Sequence, residues 1–383
     1  MSSYNNDNNK KNKAIILVGG FGTRLRPLTF TTPKPCIEFC GKPFIYWMIR
    51  GLILYGNVNE IIFASCHQSE IIKNIVTSLF VDQINNPKGS ETKIPKLTFI
   101  EEKVPLGTAG AIHNCRTLIG NCEHFFVFNS DVTCRYDIVI KNLLDLDSSK
   151  IGNIAGFKVE DPTKYGVLCL SNPKDKTNNE IKAFIEKPKD SSCGNIINGG
   201  LYFFHSDILN FILDDNHKYQ MLEKDVFPVL AKHHLLDASF ADSFWMDIGQ
   251  PKDYLLGQSL FMSSNQTLID ELNLARNLSF KNNQTNETKG NTFLNSEIKQ
   301  VGNYNKFENC SVFKGCIIGN GISIKNSIIG ENCIIQDNVI IENSILGNSI
   351  TVFSSNIILN AKIAPFKEIK THCISINEIK DYM

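Results

Sequence analysis

The chain has 383 residues, of which 42% are hydrophobic, and carries 39 Lys plus Arg against 39 Asp plus Glu. That length exceeds one ordinary compact domain and points to two, each with enough apolar residues for a core. A formal net charge of +0 lacks the basic excess of a nucleic-acid binder, so no nucleic-acid partner is expected, while a local cationic pocket for phosphate stays allowed.

The 12 cysteines include no C-x-x-C pair. Cys36 and Cys40 come nearest, without a matching Cys or His cluster downstream, so the spacing of a structural zinc site is missing. Cys66, Cys115 and Cys169 sit among apolar residues and read as reduced, small hydrophobes. Residues 1–12 are polar and Asn-rich, read as a disordered tail with no signal-peptide core. No apolar run reaches the roughly 18 residues that span a bilayer. These features predict a cytoplasmic protein with no membrane partner.

In chain order, Ala14–Val18 is a short apolar run, read as a buried strand that stops at Gly19-Gly20. Helical periodicity follows from Pro43 to Tyr55, with Phe44, Trp47, Met48, Leu52 and Tyr55 on one face. Then come a strand at 60–65, a helix near 69–79, a strand at 96–100, a helix from Gly107 and a strand at 125–128. Strands alternating with helices predict a Rossmann-like α/β domain over 13–264 with a mixed, mainly parallel sheet. Later strands at 154–159, 167–170, 181–186 and 200–204 predict antiparallel pairing.

Composition shifts to Asn, Thr, Ser and Lys near Asn265. Residues 265–300 read as a linker, disordered around 282–291. Beyond it, aliphatic residues recur at Ile318, Ile324, Ile329, Ile335, Ile341 and Leu346, about six apart. That period predicts a short parallel β-helix over 301–383, its aliphatic positions stacked inside.

The string Gly19-Gly20-Phe21-Gly22-Thr23-Arg24-Leu25-Arg26-Pro27-Leu28-Thr29 follows the first strand directly. Its glycines let backbone N–H groups approach phosphate oxygens, and its arginines add fork-like donors. It is neither a Rossmann fingerprint, since residue 25 is Leu, nor a Walker A loop. Thr32-Pro33-Lys34-Pro35 comes next, its prolines holding Lys34 in an extended segment.

With these residues in view, the chain resembles the sugar-nucleotide pyrophosphorylase family. Further matches follow in order: Pro105 to Gly110, Asn129-Ser130-Asp131, Lys164 to Val167, Glu186-Lys187-Pro188, Asn198-Gly199-Gly200, Glu223 to Pro228, and Phe244 to Pro251. The last string and the hexapeptide tail are similar to the eukaryotic mannose-1-phosphate guanylyltransferases in particular, which implies a left-handed β-helix. The resemblance covers roughly residues 13 to 260 plus the tail.

It implies GTP and mannose 1-phosphate as substrates, GDP-mannose and pyrophosphate as products, Mg2+ as cofactor, and a homo-oligomer built through the β-helix. It further implies Asp131 and Asp247 as metal carboxylates, with Arg24 and Lys34 on the triphosphate and Lys187 on the sugar phosphate. These five are the expected catalytic residues. Glu186, Asn198 and the Gly166 backbone are implied at the sugar, and Leu17, Gly19, Gly20, Gly22, Thr23 and Gly107 at the nucleotide. Gly107 to Gly110 opens a helix whose amides are expected to face a base edge or a phosphate.

One departure is visible: Asn198-Gly199-Gly200 stands where the family has Asn-Ala-Gly, which bears on the sugar pocket. Three alternatives accompany this reading. One is the same chemistry on UTP, ATP or dTTP with glucose 1-phosphate. Another is a non-catalytic regulatory relative, disfavoured because Arg24, Lys34, Asp131, Lys187 and Asp247 are all present. The third is a hexapeptide acyltransferase, for which His372 lies beyond the repeat.

Overall fold

A computed structural model describes residues 11–80, 93–171, 179–212, 219–271, 286–370 and 374–376. The chain forms two compact units, one of residues 1–20 and 47–245, the other of 21–46 and 246–383.

The first unit is built on a nine-stranded sheet. Its strands are β1 (Asn12–Leu17), β2 (Val58–Ser65), β3 (Lys96–Glu101), β4 (His124–Asn129), β5 (Gly152–Lys158), β6 (Gly166–Leu170), β7 (Ile181–Glu186), β8 (Ile196–His205) and β9 (Leu236–Phe240). The order along the main path is β7-β6-β8-β4-β1-β2-β3. The block β4-β1-β2-β3 is parallel, and β8 runs antiparallel to β4, β5 and β6. The strands at the middle read as unbroken apolar runs because both faces are covered: Ala14 to Ile16 and Phe125 to Phe128 are fully buried. Helices expected near 69–79 and from Gly107 occupy Ser69–Ser78 and Gly107–Asn114.

Parallel pairing positions the functional loops. Leu17 at the end of β1 is the register partner of Asn129 at the end of β4. The loops that leave these strands, 18–20 and 130–131, therefore emerge at the same C-terminal edge, where open α/β sheets bind ligands. The Ser130 amide donates to the Leu17 carbonyl at 3.3 Å and ties them together.

The second unit joins the arginine-containing segment to the C-terminal region. Phe39 packs edge-on against Phe44, Tyr254 and Phe261 at 5.0, 5.5 and 5.6 Å. The Tyr254 hydroxyl donates to the Glu38 carbonyl at 2.6 Å. Tyr254 and Phe261 belong to a helix spanning Pro251–Glu271, with a kink at Asn265.

Thus the helix runs past residue 264, where the sequence suggested a linker, and the first C-terminal strand begins at Glu287. Residues 287–289, expected to be disordered, pair with Lys306–Glu308. Residues 272–285 of the expected linker, residues 1–10 of the expected tail, and His372 lie outside the described residues.

From Glu287 onward, short strands form three parallel sheets of six, five and five strands, consistent with a left-handed β-helix. After the first coil the register advances by seventeen residues on every face, as in Ser323↔Ile340, Ile328↔Ile345 and Ile334↔Thr351. Seventeen rather than eighteen means that one side of each coil is five residues long. Asn309, Asn326, Asn343 and Asn360 each turn a corner at φ between 47° and 52°, a backbone that Asn tolerates better than most residues. The asparagine richness of this tail is thus a corner code. Ile324, Ile329, Ile335, Ile341 and Leu346 fill the interior.

Candidate active site

Each unit carries part of the expected residue set. In the second unit, Gly22 sits at φ 62°, a left-handed conformation that glycine reaches without steric penalty. A Cβ there would lie 2.8 Å from Thr29 Cγ2 and 2.9 Å from Lys34 Cβ, so the loop folds back on the Thr-Pro-Lys-Pro segment. The Thr29 hydroxyl closes it by donating to the Gly22 carbonyl at 2.9 Å. Thr23-Arg24-Leu25 then makes a single 3₁₀ turn that buries Leu25 and leaves Arg24 exposed.

The same unit brings this loop to the Trp-Met-Asp-Ile-Gly string, more than 200 residues away in sequence. A Cβ on Gly249 would lie 2.8 Å from Arg24 Nη2 and 3.3 Å from Asp247 Oδ1, so the guanidinium rests directly over the Gly249 backbone. Lys34 Nζ is 3.9 Å from Asp247 Oδ1, an oxygen shielded from solvent. Arg24, Lys34 and Asp247 thus share one small polar region. Two cations beside one carboxylate leave a local positive excess suited to a polyanion.

In the first unit, Gly19 and Gly20 are exposed at the end of β1. Gly19 is fixed by the Cys66 thiol, which donates to its carbonyl at 3.1 Å, whereas a Cβ on Gly20 would meet nothing within 4 Å. Asp131 lies just past β4, half-buried. Glu186 is the register partner of Gly166 across β7 and β6. A Cβ on Gly166 would lie 2.4 Å from Phe184 Cζ and 2.9 Å from Glu186 Oε2, so glycine leaves room for both that ring and that carboxylate. Lys187 follows at φ 48°, unusual for a residue before proline. Its amide donates to the Tyr165 carbonyl at 3.0 Å and its Nζ is 3.7 Å from Glu186 Oε1.

Asn198 is oriented at both ends of its amide. Its Nδ2 donates to the Tyr202 hydroxyl at 2.9 Å, and its Oδ1 accepts from the Gly200 amide at 3.0 Å. The β8 register breaks between Asn198 and Tyr202, with Gly200 at φ 73°. Burial holds the Tyr202 hydroxyl protonated well beyond the ordinary range, reinforced by the negative charges of Glu223, Glu186 and Asp131.

The departure at Gly199 has a structural answer. A Cβ there would lie 2.5 Å from the Phe157 ring, so the space a methyl would take is filled by an aromatic side chain. Phe157 stacks on Trp245 at 5.9 Å, and the Trp245 indole donates to the Gly199 carbonyl at 2.9 Å.

The helix from Gly107 behaves differently from expectation. Gly107 is at φ 77°, and a Cβ there would lie 2.4 Å from the Gln220 carbonyl oxygen. That carbonyl accepts from the Ala109 and Gly110 amides at 3.0 and 3.3 Å. Two helix-opening amides expected to face a base edge or a phosphate are therefore capped by the protein itself. The Thr108 hydroxyl donates to Glu223 Oε2 at 2.8 Å, and burial pushes the Glu223 carboxyl above its ordinary value. Glu223, Tyr202, Trp245 and Gln220 were not singled out from sequence. Only Glu223 and Trp245 lay within the quoted strings that could have flagged them.

A glycine loop at a sheet edge, an arginine–lysine–aspartate cluster and a set of oriented polar side chains fit a nucleotidyl transferase. The chain belongs to that family: the model of the nucleotidyl transferase family matches residues 13–263, and that of the GMPPB C-terminal domain matches 289–379. It is similar to the mannose-1-phosphate guanylyltransferase catalytic subunit beta of Dictyostelium discoideum, 39% identical over 68% of this chain and 67% of the relative. It is also similar to mannose-1-phosphate guanylyltransferase 1 of Arabidopsis thaliana, 40% identical over 66% of this chain and 65% of the relative. The matched part thus spans about two thirds of the length of these relatives. The UDP-glucose pyrophosphorylase structure from Acinetobacter baumanii superposes with a TM-score of 0.56 at 19% identity, over 68% of this chain and 99% of that one, a likeness of fold alone. Among the described residues no helix is long and apolar enough to cross a membrane.

Proposed function

We propose that the chain transfers GMP from GTP to mannose 1-phosphate, releasing GDP-mannose and pyrophosphate. The observation that carries this reading is the packing of Arg24 over Gly249, next to Asp247 and Lys34. It joins the glycine loop to the Phe-Trp-Met-Asp-Ile-Gly-Gln-Pro string shared in type with guanylyltransferases.

An oxygen of the sugar phosphate attacks the α-phosphorus in line, the bond from that phosphorus to the α–β bridging oxygen breaks, and pyrophosphate leaves. Both reactants are anions, so the protein contributes charge neutralisation and alignment rather than covalent chemistry. Arg24 and Lys34 offset charge on the triphosphate and on the departing pyrophosphate. Lys187 holds the sugar phosphate. Glu186, Asn198 and the Gly166 backbone hydrogen-bond the sugar hydroxyls. Leu17, Gly19, Gly20, Gly22, Thr23 and Gly107 border the nucleotide.

The carboxylates of Asp131 and Asp247 are hard oxygen donors of the kind that suits Mg2+, and we assign each as a Mg2+ ligand, as the family resemblance implies. When bound, the ion would neutralise phosphate charge and polarise the α-phosphoryl oxygens. We place the reaction in the cytoplasm, in line with the free cysteines, and expect a homo-oligomer through the β-helix.

The test is pyrophosphate release with Mg2+, crossing GTP, UTP, ATP and dTTP with mannose 1-phosphate and glucose 1-phosphate. Release chiefly from GTP with mannose 1-phosphate is expected. Release chiefly from another pair would move the substrate assignment, and none from folded protein would overturn the enzymatic reading.

A further inference from the structure

The opposite end of β4 carries a second set of ligating side chains. His124 opens β4, His205 closes β8, and the two are register partners in the antiparallel pair. Directly opposed residues on neighbouring strands project from the same face, and these rings lie 5.1 Å apart, edge to face. One residue further out, the Ser206 amide donates to the Glu123 carbonyl at 2.8 Å, extending the pairing past the strand ends. A carboxylate oxygen of Glu123 and one nitrogen from each imidazole all fall within 4.8 Å of one another. Ligands of one tetrahedral ion sit roughly 3.4 Å apart, so small side-chain rotations suffice to converge them.

The surroundings add an independent observation. His205 Nδ1 lies 3.2 Å from Asp207 Oδ2. With Nδ1 protonated and donating to that carboxylate, Nε2 keeps the lone pair that can bind a metal. A carboxylate behind a histidine fixes ring orientation and raises ligand basicity in metal sites. The Asp207 amide also lies 3.2 Å from Nδ1, so in the ion-free ring Nδ1 can accept instead, and loading shifts the ring proton from Nε2 to Nδ1. His124 is steadied by stacking on Phe203 at 5.4 Å.

We propose that Glu123, His124 and His205 form a site for a divalent transition metal of the Zn2+ class, with water completing the coordination. Two imidazoles and one carboxylate match the borderline preference of Zn2+ and not the all-oxygen preference of Mg2+. The length of β4 separates this site from Asp131 by about 20 Å at ~3.3 Å per residue. It is therefore distinct from the proposed Mg2+ carboxylates, and its occupancy leaves nucleotidyl transfer unchanged.

The experiment is calorimetric titration of the full chain, stripped with chelator and kept reduced, with Zn2+ in the presence of Mg2+. Wild type is expected to bind one equivalent more than His205→Gln or His124→Gln, and Asp207→Asn to bind it about 10–100-fold more weakly. Co2+ in place of Zn2+ should give visible absorption in wild type that both histidine variants lose. Unchanged melting temperatures without metal and unchanged Mg2+-dependent turnover establish that the variants are folded. Equal stoichiometry and affinity in wild type and the histidine variants, or no binding to wild type, would overturn the site. Wild-type affinity in Asp207→Asn would overturn the carboxylate relay.

Discussion

In the first unit, Glu186, Asn198 and Glu223 are set among strands and rings, each oriented by a neighbour: Gly166 beneath Glu186, Tyr202 and Gly200 on Asn198, Thr108 on Glu223. In the second unit, Arg24 and Lys34 sit on 3₁₀ turns and Asp247 ends a short strand, with Lys34 and Asp247 facing each other as opposite charges. The first arrangement is fixed by packing before any ligand arrives and suits groups that discriminate hydroxyls. The second depends on charge balance and suits a ligand that changes that balance. Under the proposed roles, the first unit holds the sugar-hydroxyl groups together with Lys187 and Asp131, and the second holds Arg24, Lys34 and Asp247.

Substitutions can break that contrast. The largest effect is expected from Asp247→Asn or Asp131→Asn, which keep shape and remove charge. Turnover at saturating Mg2+ should fall by about 10²–10³-fold with melting unchanged, and near-normal turnover would remove the residue from the charge-handling set. Lys187→Ala should raise KM for mannose 1-phosphate by about 10–100-fold, the size of a lost charged hydrogen bond, and KM for GTP far less. Equal rises would place Lys187 outside sugar-phosphate recognition.

Glycines sharpen the comparison further. Gly199→Ala must displace the Phe157 ring and should destabilise the protein by about 1–3 kcal/mol, read as a lower denaturant midpoint. Gly20→Ala, with open space around its Cβ, should change stability by less than about 0.5 kcal/mol.

A pH-dependent effect concerns Glu38, buried in the second unit with Asn295 Nδ2 at 2.7 Å and the Lys314 amide at 3.0 Å. Burial pushes its carboxyl up to about 7, against about 4.3 in an unfolded chain. The folded state then holds the proton more tightly. The stability this group contributes is full below the unfolded value and is lost as pH rises through about 7. Glu38→Gln should flatten the fall in unfolding free energy across that interval, and an unaltered slope would assign the dependence to another group.

Much of this was legible in the sequence, because the signals are local. The apolar run before Gly19-Gly20 is β1, and the strand ending near Asp131 is β4. The expected strand at 181–186 has the same bounds in the fold. What could not be read depends on partners far away in the chain. Nothing near Phe39 announces that it packs with Tyr254 and Phe261. Nothing near Gly107 announces the Gln220 carbonyl that caps its helix. Within the Asn-rich stretch, residues 287–289 are ordered because the distant segment Lys306–Glu308 pairs with them, which local composition does not announce.

The seventeen-residue coil also constrains how this tail can vary. A single inserted or deleted residue within a coil must be taken up locally, as a bulge or an altered corner, because each strand pairs in register with the coil before. A change of one whole coil keeps every pairing regular. Length variation within the regular coils should therefore come in quanta of seventeen, with odd lengths absorbed in the first coil, where Glu287 pairs with Lys306 and Phe293 with Ser311.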